Sequence, residues 1–483
     1  MKSIIASFIL ALLGSSVAAQ DCAWARQFNF PTNSTAGKVI PDYKGNYFLV
    51  KSYSSVSSQA TNLLKIDGKG TTVWSITKDV EITDISLNGD GNLAIAGNFR
   101  GDKQLGNYTL SASGDGSFIA SVSPAGAFNW AVTSPIPSMT QIHDVSTDNS
   151  NNILVLGTSA NSSPGNMGPT FLLKLNSSNG TLINDLSFAG CRGYELGVDG
   201  AGNTIFLGSF YDSLTIGNNK LTVPQSDYSS QFICKLDKNN TITWLKYMGT
   251  PIYFGLEGLS VSSSGSFCLM QGARYDDFQV KKYDEKCNVV WTKLFGGGNY
   301  TSMTGSVWFS GNNIFVTGRK WDSGPTEVIS GLVIKLDEAG NTLSSNIYPN
   351  IESNFISVNK DTLILLASLT QPANICQGTL NPAGGNTVVI KFANPPEVST
   401  LSEREMYGFS VLPNPSGGLV EIKWEAVSPN AEVSVIDIFG RVVQHKKAAS
   451  GHAHFDLSGI AKGVYWIKVT GEGKPLLKKM LVI

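Results

Sequence analysis

Apolar and polar residues alternate along most of this chain with a period of two, and Gly, Asn and Asp break the alternation every six to ten residues. That pattern predicts short antiparallel strands joined by tight turns. The strands recur as two phrases. The first is a turn with Gly-Asn or its equivalent, then an apolar run: GNYFLV from Gly45, GNLAIAG from Gly91, NNILVLG from Asn151, GNTIFLG from Gly202, GSFCLMQG from Gly265 and NNIFVTG from Asn312, with a decayed copy, DTLILLA, from Asp361. The second is an apolar strand, an acidic or Asn turn and often a Trp strand. It reads LLKIDGKGTTVW from Leu63, ICKLDKNNTITW from Ile233 and VKKYDEKCNVVW from Val280, with weaker copies elsewhere. Seven units result, of about 54 residues and four candidate strands each, a little above the range of propeller blades.

The seventh unit ends at VVIKFAN without a Trp strand, whereas the chain's early segment CAWARQF looks like that missing strand. Pairing Ala23 to Phe28 with Val388 to Phe392 would close a ring and remove its open sheet edges. The expected fold is all-β: a seven-bladed β-propeller, with six or eight blades as the alternatives, followed by a small Ig-like β-sandwich. The expected divisions are 1–19, a signal peptide; 20–395, the propeller; 396–407, a linker; and 408–483, the sandwich.

Composition narrows the function classes. Lys and Arg number 36 against 37 Asp and Glu, so no electrostatic case exists for a nucleic-acid or anionic-membrane partner. Lys2, the apolar run Ile4 to Leu13 and the small residues up to Ala19 read as a secretory signal cut after Ala19. Cys22 lies past that cut, which argues against a lipoprotein anchor, and no stretch suits a transmembrane helix. In an exported chain six cysteines favour disulfides. Repeat proximity suggests Cys22 with Cys376, Cys268 with Cys287, and Cys191 with Cys234.

Candidate chemistry is sparse. Of four histidines only His143 lies in the propeller, so a His-rich zinc site or a Ser-His-Asp triad is not expected there. His452 and His454 alternate on a strand, a pattern that suits a solvated face better than a metal site. Asp84, Asp144 and Glu195 each lie seven residues before a repeat turn, and Glu257 lies eight before one. Carboxylates at one repeat position could ring a channel mouth, bind Ca²⁺ or act as general acids and bases. The stronger reading is structural: such acids cap turns or accept hydrogen bonds between blades. Lys38 and Thr304 break the pattern in units one and six, and unit seven shows no clear acid. Trp24, Trp74, Trp130, Trp244 and Trp291 share a repeat position and read as core; Trp308 and Trp321 depart from it and are candidate sugar-stacking platforms.

WTKLFGGGNYTSM and GSVWFSGNNIFVTG resemble secreted bacterial β-propeller repeats of the SBBP type, and the Trp strands are more faintly similar to pyrroloquinoline-quinone propeller blades. The C-terminal segment carries Pro413-Asn414-Pro415 with Gly417-Gly418, an Asp437-to-Arg441 turn containing Gly440, the stretch Leu457 to Tyr465 with Gly463, and a Lys-rich last strand. It resembles the type A C-terminal sorting domain of the type IX secretion system. The resemblance implies the secretion machinery as partner, a Gram-negative host, passage through the periplasm, and release or attachment at the cell surface. The resulting expectation is a secreted or cell-surface, non-catalytic binding or adhesion protein for a glycan or protein, with no assigned cofactor. The alternative is a hydrolase or lyase of polysaccharide working through Asp84, Asp144, Glu195 and Glu257. A quinone-dependent dehydrogenase ranks third.

Overall fold

The computed structural model describes residues 22–30, 37–42, 44–54, 59–159, 167–223, 229–249, 256–272, 278–295, 301–302, 305–322, 328–359, 362–376, 378–384, 386–393, 409–412, 414, 416–424, 431–437, 441–448, 452–470 and 476–482. The expected signal segment, its cut after Ala19 and the linker lie outside them.

Apart from three two-stranded hairpins, the described strands before residue 394 form seven antiparallel sheets of four or five strands, which we number as blades 1 to 7 in chain order. Their innermost strands are Lys38–Pro41, Glu81–Leu87, Gln141–Thr147, Cys191–Val198, Leu256–Val261, Val307–Ser310 and Ile351–Asn359. Each touches the next, and Ile351–Asn359 touches Lys38–Pro41, so the strands enclose a central space. The outermost strand of blade 7 is Cys22–Phe28, paired with Thr387–Ala393 in the register Ala25 to Ile390 and Phe28 to Thr387. Both ends of this part of the chain therefore build one sheet. A Cys22–Cys376 disulfide, with Cα atoms 5.2 Å apart, ties the early strand to the same blade. The other suggested pairs do not form. Cys191, Cys234 and Cys268 are buried free thiols, and Cys287 is free and half-buried. Burial pushes Cys191 and Cys234 up to about 12. They sit in the apolar core of blade 4, where a thiol packs as a small hydrophobe.

One turn recurs around much of the ring. In Asp42 to Asn46, the Asp42 amide donates to the Asn46 carbonyl, and Asp42 Oδ1 accepts from the amides of Lys44 and Asn46. The same pattern recurs at Asp67, Asn88, Asp148, Asp199, Asp237 and Asp284. Gly45 takes φ +85° and Gly91 φ +80°, the left-handed residue that closes a type I turn with a bulge. The side-chain acceptor explains the Asp or Asn at these turns. At the inner turns of blades 1, 3 and 4 a lysine from the third strand also reaches the carboxylate, as Lys174 does to Asp148 at 2.7 Å.

The repeated tryptophans are clasps between blades. Trp24 Nε1 donates to the Gly68 carbonyl of blade 1 at 2.8 Å, and Trp130 Nε1 to the Ser177 carbonyl of blade 3 at 2.8 Å. Trp74, Trp244 and Trp291 do the same to the turns of blades 2, 5 and 6. Gly70, Gly126, Gly180 and Gly340 lie against these rings, where a Cβ would collide. The expected core role holds for Trp24 and Trp130, which are buried; Trp74, Trp244 and Trp291 are only half-covered.

Blades 2, 4 and 7 carry an extra hairpin between strands two and three: Lys103–Leu105 with Tyr108–Leu110, Ser213–Ile216 with Asn219–Thr222, and Ala373–Ile375 with Gly378–Leu380. Leu105, Leu110, Leu214 and Ile216 bury against their blades. Gly106 and Gly217 hold the left-handed turn position, and Cys376 takes it in blade 7 with φ +51°.

The C-terminal strands form a sandwich. Phe409–Leu412, Leu419–Trp424 and His452–Asp456 make one sheet; Val442–Ala448, Ala431–Ile436, Gly463–Thr470 and Leu476–Val482 make the other. Val420, Ile422 and Phe455 from the first pack with Val433, Val435, Ile467 and Val469 from the second. Inward apolar and outward polar residues alternate, as in HAHFD, where Ala453 and Phe455 are buried and the histidines exposed.

Candidate functional site

The inner strands place one residue of each blade at the same register, just before a residue that packs into the blade core. These residues are Lys38, Asp84, Asp144, Glu195, Glu257 (with the bulged Gly258 between it and Leu259), Ser306 and Phe355, which pair across the blade with Val50, Ala96, Leu156, Leu207, Met270, Thr317 and Leu366 by strand register or, for Ser306, by side-chain contact. In blades 2 to 4 a register shift sits directly before the acid, at Ile82/Asp84, Ile142/Asp144 and Gly193/Glu195. The bulge turns the side chain out of the pleat and towards the neighbouring blade.

Each acid then meets the next blade's backbone. Val145 N donates to Asp84 Oδ2 at 2.9 Å, and Leu196 N donates to Asp144 Oδ2 at 2.7 Å. Gly258 N donates to Glu195 Oε1 at 2.9 Å, and Leu259 N to Oε2. Glu257 stands at the corresponding position of its strand, opposite Met270; its side chain lies outside the described residues. Ser306 does the same work with a hydroxyl, accepting from Ile356 N at 2.9 Å. The blade 6 residue is thus Ser306 and not Thr304. The inner turn there spans only Gly311 and Asn312 between the paired Ser310 and Asn313, so a count tuned to the longer turns overshoots.

Lys38 is the electrostatic partner of this row. Its Nζ lies 2.6 Å from Asp84 Oδ1. Burial works against the ammonium, but Asp84, Asp144 and Glu195 outweigh it and hold Lys38 above its ordinary value. Asp84 is buried; that opposes ionisation, yet Lys38, Asp144 and the Val145 amide hold its carboxyl below the usual range. Asp144 goes the other way. Burial, the Asp84 charge and the hydrogen bond to Asp84 hold it well above the carboxylate range. The pair is thus driven apart, Asp84 towards the charged form and Asp144 towards the neutral one. Burial also raises Glu195, against the opposing amides of Leu259 and Gly258. His143 is pushed down to about 4 by burial and by Arg192, and it hydrogen-bonds Thr158 Oγ1 at 2.8 Å as a neutral ring.

These residues line a central cavity of about 720 Å³. One wall, from blades 1 to 5, carries Lys38, Asp84, Ser86, Asp144, Ser146, Glu195 and Ser260. The opposite wall carries Trp308, Phe309 and Phe355. The sequence spacing found the acids and flagged Trp308, but it did not show that they share one chamber. Trp321 lies on the strand Asn313–Asp322 with its side chain outside the described residues. Among the described residues no three His, Cys, Asp or Glu side chains gather to hold a metal ion, and the amine of Lys38 takes the place a cation would need beside Asp84.

In the sandwich, Asp437 organises its turn through Arg441, whose amide donates at 2.9 Å and whose Nε donates at 2.8 Å. Tyr465 is buried and donates to the Ala461 carbonyl at 2.7 Å; Gly463 opens its strand with φ +155°. Asn414 is exposed, and Pro413, Pro415 and Gly440 lie outside the described residues.

The described residues from 409 onward thus form two sheets with one core and this Asp437–Arg441 turn. Residues 410–483 match the secretion system C-terminal sorting domain. It is the sorting domain of the type IX system, so the chain is secreted or held at the cell surface of a Bacteroidetes-type bacterium. The sorting domain also accounts for His445, His452 and His454, which it carries on exposed strands.

No curated protein matches the sequence. Among solved structures, the chain is similar to the polysaccharide lyase Uly1 at 8% identity and a TM-score of 0.43, over 75% of this chain and 90% of that one. It is similar to the plexin A4 extracellular region at 8% identity and a TM-score of 0.42, over 92% of this chain and 60% of that one. It is similar to quinohemoprotein alcohol dehydrogenase from Comamonas testosteroni at 10% identity and a TM-score of 0.39, over 79% and 78%. These likenesses are of fold alone. No helix among the described residues is long and apolar enough to cross a membrane.

Proposed function

We propose that the chain is an exported, non-catalytic β-propeller that binds a glycan or protein outside the cell, with its sorting domain directing type IX export through the periplasm. One observation supports it most: Asp84, Asp144 and Glu195 each accept a hydrogen bond from the next blade's backbone. A carboxylate so engaged, and in Asp84 also paired with Lys38, has part of its hydrogen-bonding capacity committed to the scaffold. The signal segment ending at Ala19 and the motif residues Pro413 to Pro415, Gly440, Arg441, Gly463 and Tyr465 complete the export reading.

The alternative, a polysaccharide hydrolase or lyase, has one support of its own. Asp144 keeps its proton above the usual carboxylate range next to ionised Asp84, the division of roles that acid–base chemistry needs. A glycan array of the secreted protein, followed by product analysis on every glycan bound, decides between them. Binding without cleavage supports the proposal; cleavage abolished by Asp144→Asn would replace it with the alternative. Truncation before Phe409 should leave the propeller inside the cell envelope, and its normal appearance in the medium would overturn the export reading.

A further inference from the structure

The inner strands carry a second ring, two residues beyond the first, or three in blade 5, where Gly258 bulges. Its members are Ile40, Ser86, Ser146, Gly197, Ser260, Trp308 and Ser357. Five of the seven are Ser or Gly, and four of these, Ser86, Ser146, Gly197 and Ser260, line the cavity and leave its middle open; Ser357 is fully buried and does not line it. Trp308 is the single large aromatic residue there. It is half-buried, and its ring meets Phe355 edge-on with centroids 6.2 Å apart. The five clasp tryptophans all use Nε1 on a neighbouring carbonyl. Trp308 does not: among the described residues its Nε1 has no acceptor, and it borders the cavity. An aromatic face of this kind has no structural need for a ring of small residues around it.

We propose that this chamber binds the ring of a neutral sugar, its apolar face stacked on Trp308 and its hydroxyl edge turned to Ser86, Ser146 and the carboxyls of blades 2 to 4. The inference rests on the binding function proposed above and names its site and ligand class. Three observations support it. The cavity, about 720 Å³, falls within the range of small-molecule pockets, roughly 300–1,000 Å³. Its aromatic rings come from blades 6 and 7 and its carboxyls and most of its hydroxyls from blades 1 to 5, set among aliphatic residues such as Ile40, Leu87 and Val261, which matches a pyranose with an apolar face and polar edges. A cationic ligand is disfavoured, because Lys38 already neutralises Asp84 and lies over Phe355 with Nζ 5.7 Å from the ring centroid. An apolar ligand is disfavoured by the burial of so many polar groups against it.

The test is calorimetric titration of the full secreted protein with glucose, galactose, mannose, N-acetylglucosamine, cellobiose and maltose, beside glucosamine and galacturonic acid as charged probes. At least one neutral sugar should bind. Trp308→Ala should weaken it at least tenfold, Trp308→Phe should weaken it less, and Ser146→Leu should abolish it by filling the opposite wall. Thermal melts of each variant establish that it folds, and Ser146→Leu keeps the test alive if Trp308→Ala does not. Binding of the charged probes alone, or of no sugar, overturns the proposal. A neutral sugar held equally well by folded Trp308→Ala and Ser146→Leu also overturns it, while leaving a glycan-binding function on another surface intact.

Discussion

The two sides of the ring join their blades with different chemistry. From blade 2 to blade 5 the inner contact is a carboxyl group accepting from a backbone amide, at Asp84, Asp144 and Glu195. From blade 5 to blade 7 it is a hydroxyl: Ser260 Oγ accepts from Phe309 N at 3.0 Å and Ser306 Oγ from Ile356 N at 2.9 Å. Both satisfy an amide that would otherwise be buried without a partner. Only the acid side also gathers charge, and that charge needs Lys38. The difference teaches that a row of acids at one repeat position can arise from blade-to-blade bonding, with a single counter-ion making the row tolerable.

The largest effect should come from breaking the acid side at its counter-ion. Asp84→Ala leaves the Lys38 ammonium without its main partner and the Val145 amide without an acceptor. Loss of one partner of a buried pair costs roughly 3–5 kcal/mol, and denaturant unfolding should show it. Opening the ring covalently comes next. Cys22→Ser with Cys376→Ser should lower stability by about 2–5 kcal/mol, the usual cost of removing a native disulfide, with the loss reproduced by reducing the wild type.

On the hydroxyl side, Ser306→Ala strands one amide, Ile356 N, with no charge involved. The expected loss is smaller, about 1–3 kcal/mol for an unsatisfied buried donor. A loss equal to that of Asp84→Ala would erase the distinction between the two sides. The smallest change at neutral pH should be Asp144→Asn, within about 1 kcal/mol, because the amide oxygen still accepts from Leu196 N and its NH₂ can donate to Asp84.

The pH profile sharpens this last comparison. Asp84 is held below its ordinary value, so its stabilising contribution is present above that value and lost as pH falls through the lowered one. Asp144 is raised, so its contribution is full below the ordinary carboxylate range and declines as pH rises towards its raised value. Asp144→Asn should remove the decline on the alkaline side and leave the acid-side loss, measured as unfolding free energy against pH.

Much of this was readable in the residues. The period-two runs and the two phrases located most of the strands, and CAWARQF identified the strand completed by the other end of the chain. Equal spacing to a turn found Asp84, Asp144 and Glu195, because bulge and turn repeat together in those blades. It missed Ser306, where the turn is shorter, and it read Lys38 as a break in the pattern although it is the pattern's counter-charge. The extra hairpins were overlooked, yet LGNYTL and IGNNKLT each hold a left-handed Gly directly after a buried Leu105 or Ile216. Cysteine proximity in the repeat misled for Cys191 and Cys234: both lie in one blade core, but as packed thiols.

The central claim is that the repeated acids bind blades together. Amide hydrogen exchange at Val145 and Leu196 tests it most directly, in wild type, Asp84→Ala and Asp144→Ala. The account predicts slow exchange at both amides in the wild type, selective acceleration of Val145 in Asp84→Ala, and selective acceleration of Leu196 in Asp144→Ala. Unchanged protection of both amides in the two variants, together with loss of a polysaccharide-cleaving activity, would contradict it.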